Sequence, residues 1–95
     1  MINNYDGSNF DELIKKKVLV DFYANWCGPC KMLGIELEKV SSEIDILKVN
    51  VDEHSELARK YGVMSIPCII LFEDGKEIKR NVGFIPSSKL STFIN

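Results

Sequence analysis

Two cysteines separated by two residues, Cys27-Gly28-Pro29-Cys30, follow an apolar run and precede an amphipathic one. Thiols in this spacing close a structural disulfide, supply half of a zinc site, or carry electrons by opening and closing a bridge. Residues three apart on an α-helix have Cα atoms about 5 Å from each other, from a rise of about 4.5 Å and a chord of about 2.3 Å. That separation lies inside the window of roughly 4.4 to 6.8 Å in which a disulfide forms. The Cys27–Cys30 bridge can therefore open and close with little backbone motion. Pro29 suits the first helical turn, where a missing N–H costs nothing, and Gly28 lets the chain bend at a strand-to-helix junction. No second CxxC or pair of histidines accompanies the motif, which counts against zinc.

The position also assigns the two sulfurs different chemistry. Free N–H groups and the positive end of the helix dipole stabilise a thiolate at a helix N-terminus, so Cys27 is the expected nucleophile. Cys30, one turn further in, is the expected resolving partner in thiol–disulfide exchange. Upstream, Asp21 interrupts the apolar run Val18-Leu19-Val20-Asp21-Phe22-Tyr23. A carboxylate in a strand buried on both faces is costly, so its pKa should be raised, and a proton acceptor near Cys30 is what the resolving step requires. Lys48, between Leu47 and Val49 in a second strand-like run, lies near Asp21 if the two strands are neighbours; its charge would then restrain that of the acid.

The elements that must position these groups can be read along the chain. With 95 residues, 45 % of them hydrophobic, a single domain over residues 1–95 with one packed core is expected. Its 12 basic and 14 acidic residues are interspersed and sum to a net charge of -2, which argues against a nucleic-acid or anionic-membrane surface. The opening MINNYDGSNFDEL lacks a cationic, then apolar leader, and no window is long and apolar enough for a membrane span, so a soluble, cytoplasmic protein is expected. Three cysteines, with Cys68 the odd one, make a poor disulfide framework.

Ser8-Asn9-Phe10-Asp11 reads as a capping-box start, with a first helix over about residues 8–16 ending in Lys15-Lys16-Lys17. Residues 18–23 read as a central strand, and Cys30, Leu33, Leu37, Val40 and Ile44 mark an amphipathic helix over about 27–43. A strand over 46–51, a short helix over 55–61 closed by Gly62, and a buried strand over 68–72 follow. Asp74-Gly75 signals a hairpin into a strand over 77–82, and Pro86 introduces a last helix over about 87–94. This order predicts an α/β sandwich with a mixed sheet, because the hairpin forces an antiparallel pair.

The segment Val20-Asp21-Phe22-Tyr23-Ala24-Asn25-Trp26-Cys27-Gly28-Pro29-Cys30-Lys31-Met32 closely resembles the active-site segment of the thioredoxin family. Lys48-Val49-Asn50-Val51-Asp52, Tyr61-Gly62-Val63, Ser65-Ile66-Pro67, Leu71-Phe72 with Asp74-Gly75, and Val82-Gly83 resemble later landmarks in the same order, so the likeness spans the whole chain. The resemblance implies a thioredoxin fold, a three-layer α/β/α sandwich around a central mixed sheet, and a general dithiol–disulfide oxidoreductase working mainly as a reductant. It implies a cis bond before Pro67, facing the CxxC, with the Ile66 backbone pairing to substrate. It assigns attack to Cys27, resolution to Cys30, proton exchange to Asp21, support of Asp21 to Lys48 and tuning of the potential to Gly28 and Pro29. Trp26, Ile66, Pro67 and Gly83 would border the substrate groove. No bound cofactor is implied beyond the Cys27–Cys30 disulfide itself. Reducing equivalents would come from NADPH through a flavoprotein, thioredoxin reductase, and the partners would be disulfide-containing proteins acting on a monomer.

Three positions depart from the family pattern: Ile35 stands after Gly34 where many members have a kinking proline, Cys68 replaces a common threonine, and the segment before Phe10 is short, which abbreviates a first strand near Ile2–Tyr5. Cys68 reads as a small buried hydrophobe, with oxidation or bridging to Cys27 as the sharper alternative. His54 reads as solvated surface, Trp26 as an aromatic that shields the nucleophile and contacts substrate, and Met32 with Leu33 as helix core. Two other functions compete with the reductase. An oxidase or isomerase more often carries histidine within the CxxC, against which Pro29 argues; a non-catalytic binding subunit would use the surface of Trp26, Ile66 and Gly83.

Overall fold

Five strands, β1 (Ile2–Asn4), β2 (Val18–Tyr23), β3 (Asp45–Asn50), β4 (Cys68–Glu73) and β5 (Lys76–Val82), form one sheet in the spatial order β1-β3-β2-β4-β5. The structure is a computed structural model that describes residues 1–95. β1, β3 and β2 run parallel, and β4 and β5 are antiparallel. The mixed sheet inferred from the hairpin signal is therefore present. Asp74 and Gly75 turn the hairpin with φ of 55° and 79°, the left-handed pair that matches strand twist and suits Asp-Gly.

β2 sits at the middle of the sheet, and its residues Val18 to Phe22 are all buried. Because side chains alternate across a strand, Val18, Val20 and Phe22 enter one core cluster and Leu19 the other. The first cluster takes Phe10 from α1 (Phe10–Leu13), with Ile14 just after it, and Ala58 from α3 (Ser55–Lys60). The second takes Leu33 and Leu37 from α2 (Gly28–Lys39) and Leu90 and Ile94 from α4 (Ser87–Ile94). Helices thus cover both faces, giving the three layers of a thioredoxin-type sandwich.

Several boundaries differ from the periodicity reading. α1 is a single turn rather than a helix over 8–16, and its cap is Asn9, whose side chain accepts from the Asp11 N–H, not Ser8. The three lysines lie beyond that helix, because Val18 must already enter the sheet. α2 starts after Cys27 and stops at Lys39, yet Val40 and Ile44 stay buried in the turn that follows. A buried turn and a helix leave the same apolar spacing. α2 runs unbroken through Gly34 and Ile35. Met32, expected in the core with Leu33, is 55 % exposed; only Leu33 lies on the inward stripe. β1 is abbreviated to three residues, although the Tyr5 N–H adds one further bond to the Lys48 carbonyl.

α4 is tied to α2 at its first turn. Pro86 lacks a side-chain cap for this helix, and the Ser87 N–H instead donates to Glu36 Oε1 at 2.8 Å. That bond, with the Lys39 ammonium 3.0 Å from the other oxygen, holds the Glu36 carboxyl below the usual carboxylate range. A depressed folded pKa contributes stability that is present above the unfolded pKa and lost as pH falls through the folded one. Glu36→Ala is expected to lower the thermal midpoint at neutral pH, with the difference from wild type shrinking in acid. Midpoints measured by circular dichroism from neutral pH into the acid range check this; a difference that does not shrink would sink the capping assignment.

Candidate active site

β2 ends at Tyr23, and the chain then passes through Ala24, Asn25 and Trp26 before α2 begins. Cys27 is the N-cap of α2, with extended φ and ψ of -89° and 110°. Its Sγ accepts the Cys30 N–H at 3.2 Å, so a sulfur does here what a Ser or Asp oxygen does at other caps. The two cysteines are joined as a disulfide with Cα atoms 5.2 Å apart, close to the separation anticipated from helix geometry. Cys27 and Cys30 are 5 % and 3 % exposed and pack with Ala24, against Tyr23, Val51 and Ile66. Both cysteines are thus shielded, and Gly28 and Pro29 between them are exposed.

The loop before β4 faces this pair. The Ile66–Pro67 bond is cis, and the Ile66 carbonyl oxygen lies 3.9 Å from Cys27 Sγ. Gly83, at φ 98°, donates its N–H to the Pro67 carbonyl at 2.8 Å, a backbone conformation that favours glycine. Trp26 is 71 % exposed, and its indole N–H donates to Asp52 Oδ2 at 2.9 Å. Asp52 in turn is fixed by its own N–H on Asn50 Oδ1. Trp26, Ile66, Pro67 and Gly83 are all at the end of the sheet that carries the disulfide. Asp52 and Asn50 were assigned no role from sequence. Their signal was the Asn-Val-Asp spacing at the end of β3, in which a side-chain oxygen reaches a backbone N–H two residues on.

Asp21 is fully buried, and neither carboxylate oxygen has a hydrogen-bond partner. Two residues on from Leu19, it shares that residue's face and so lies on the α2 side of β2, beneath the helix that carries Cys30. Burial pushes its carboxyl up to about 7 against the opposing pull of the Lys48 ammonium. Lys48 is the in-register neighbour of Asp21 on β3, as the sequence reading required. The expected ion pair is absent: Lys48 Nζ sits 4.6 Å from the centroid of the Tyr23 ring. Desolvation outweighs charge attraction at Asp21.

Cys68 is 1 % exposed and belongs to the core cluster of α1 and α3, with Phe22 and Ile70. Burial pushes its thiol up. A buried, protonated thiol in a separate cluster from the disulfide behaves as a small hydrophobe, which goes against the oxidation alternative.

The family model described as Thioredoxin matches residues 2–95. Among curated relatives, a thioredoxin of Chlamydia caviae is 46 % identical, with 100 % of this chain and 97 % of that one covered. One of Staphylococcus haemolyticus is 47 % identical over 93 % and 89 % of the two chains. Among solved structures, a mutant thioredoxin from Halobacterium salinarum NRC-1 superposes with a TM-score of 0.91 at 35 % identity, covering 98 % of this chain and 87 % of that one.

The environment of Asp21 predicts an unusual pH dependence of stability. Its folded pKa, about 7, stands above the ordinary 3.8, so between these values the native state holds a proton that the unfolded chain has lost. Stability must fall as pH rises through that window, by up to roughly 4 kcal/mol at about 1.36 kcal/mol per pH unit. Asp21→Asn, which cannot ionise, is expected to be more stable than wild type at pH 8 and to lose most of that advantage near pH 4. Denaturant unfolding at both pH values measures it, and an equal difference at both would contradict an uncompensated carboxylate.

Proposed function

The chain belongs to the thioredoxin family and is a protein dithiol–disulfide oxidoreductase, and from that premise we propose how its own residues divide the reaction. The observation that carries the assignment is Cys27 at the N-cap of α2, bonded to Cys30, with the Ile66 carbonyl beside its sulfur.

In the reduced protein the Cys27 thiolate attacks one sulfur of a substrate disulfide. A Cys27–substrate bond forms, the substrate S–S bond breaks, and the other substrate sulfur leaves as a thiolate. The helix N-terminus that donates the Cys30 N–H to Cys27 Sγ supports the ionised form of this sulfur. Cys30 then loses its proton to Asp21 and attacks Cys27 Sγ. The mixed disulfide breaks, Cys27–Cys30 closes, and the second substrate sulfur departs. Two electrons have passed from the dithiol to the substrate. A carboxyl titrating near neutrality is suited to exchanging that proton, since an acid or base works best with a pKa near the working pH. Lys48 moderates Asp21 through its charge, and Gly28 and Pro29 set the geometry, and hence the potential, of the bridge.

Substrate docks along Trp26, Ile66, Pro67 and Gly83. The Ile66 backbone, just before β4, is the segment that would offer strand-like hydrogen bonds, and the exposed Trp26 offers a flat apolar contact. The family works without a bound cofactor. For this chain we assign thioredoxin reductase, drawing on NADPH, as the source of electrons, disulfide-containing proteins as substrates, a monomer as the working form and the cytoplasm as the place of work. No helix is long and apolar enough to cross a membrane.

The roles separate by substitution. Cys27→Ser is expected to abolish insulin reduction with dithiothreitol as donor, a loss of at least about a hundredfold. Cys30→Ser is expected to accumulate a covalent adduct that dithiothreitol releases, seen as a mass increase equal to one substrate chain. Turnover by Cys27→Ser, or adduct formation through Cys30 in that variant, would exchange or remove the assigned roles.

A further inference from the structure

Lys48 and Asp21 stand opposite each other on adjacent parallel strands, so their side chains emerge on the same face. Strands lie about 4.8 Å apart, and a lysine side chain is long enough for an ion pair at that separation. No such pair forms, and both Asp21 oxygens remain without partners. Lys48 Nζ is instead 4.6 Å from the centroid of the Tyr23 ring, within the distance for a cation–π interaction. Tyr23 follows Asp21 by two residues on β2 and shares its face. α2 closes the other side: a Cβ built on Gly34 would lie 3.5 Å from Lys48 Nζ.

We propose that Tyr23 is a positioning residue, its ring holding the Lys48 ammonium at the mouth of the crevice between α2 and the sheet so that Asp21 stands behind it without an ion pair. The charged and titratable groups around this crevice are few. From β3 comes Lys48, from β2 Tyr23 itself, and from α2 Lys31 and, on the Gly34 side of Lys48, Glu38; Cys30 is held in the disulfide. From β4 the residue opposite Asp21 is Ile69, which carries no charge. Lys48 is therefore the cation whose displacement toward Asp21 would change the acid most. A carboxylate paired with lysine would ionise well below neutrality, whereas an unpaired one keeps its proton into the working range.

The test is a titration of the Asp21 carboxyl carbon by NMR in the oxidised protein. It therefore does not depend on whether Asp21 exchanges the proton of Cys30. Tyr23→Phe, which keeps the ring, is expected to titrate as wild type. Tyr23→Leu frees the ammonium, and its Asp21 midpoint is expected to fall by about one pH unit or more. Water entering in place of the ring would instead lower the carboxyl pKa without any lysine. The same change is therefore made in a Lys48→Met background, where Tyr23→Leu is expected to shift nothing. A shift that persists there, a shift upward, or no shift in Tyr23→Leu overturns the proposal. A readout that needs no substitution completes the test: the Lys48 ε-methylene protons of the wild-type protein should resonate upfield under the ring current of Tyr23. Ordinary chemical shifts for these protons would overturn it equally.

Discussion

Cys27 Sγ receives the Cys30 N–H at the N-terminus of α2, and the rest of the site is arranged around that bond. Four N–H groups at the start of any helix have no partner within it, and the positive end of the dipole lies among them. Placing a sulfur there satisfies one donor in the resting state and stabilises negative charge in the reactive one. The cap is therefore a structural device that also serves the role proposed for Cys27. It exists because β2, buried on both faces, ends where α2 begins, and the three-residue link leaves the first cysteine at the junction.

Asp21 works against the fold that surrounds it. A central strand offers its α2 face to Leu33, Leu37 and their neighbours, and at one position it offers them a carboxyl with no hydrogen-bond partner. Such a group costs stability whenever it is ionised and little while it holds its proton. The same burial that imposes this cost brings its titration to the pH at which a thiol must be deprotonated. Stability and the proton exchange proposed for Asp21 are thus opposed at one residue, a conflict expected at functional sites rather than in ordinary cores.

The parts of the fold visible in the chain were those whose pattern was strong: β2 and β4 as apolar runs, β2 interrupted only by Asp21, α2 as an apolar stripe, and the hairpin at Asp74-Gly75. Boundaries were less visible. Val40 and Ile44 repeat with helical spacing yet lie in a turn, and the lysines after α1 suited a helix C-terminus yet belong to the approach to β2. Met32 and Leu33 are adjacent apolar residues with opposite fates, because only one of two neighbours on a helix faces inward. At the site, both cysteines and Asp21 were legible from residue type and position. The Trp26–Asp52–Asn50 chain of hydrogen bonds was not, since it joins the loop before α2 to the end of β3 and the turn after it.

Local sequence by itself determined the spacing that permits a Cys27–Cys30 bridge, the helix start that places one sulfur at the cap, and the buried acid upstream. Each follows from covalent connectivity and the dimensions of a strand or helix, which do not depend on what packs nearby. Tertiary structure alone decided that Lys48 turns to Tyr23 instead of Asp21, that Cys68 faces the α1 and α3 core, and that Ile66 meets Cys27 across the sheet end. A flexible ammonium, a small thiol and a distant loop have several partners within reach, and only the packed arrangement of strands and helices leaves one.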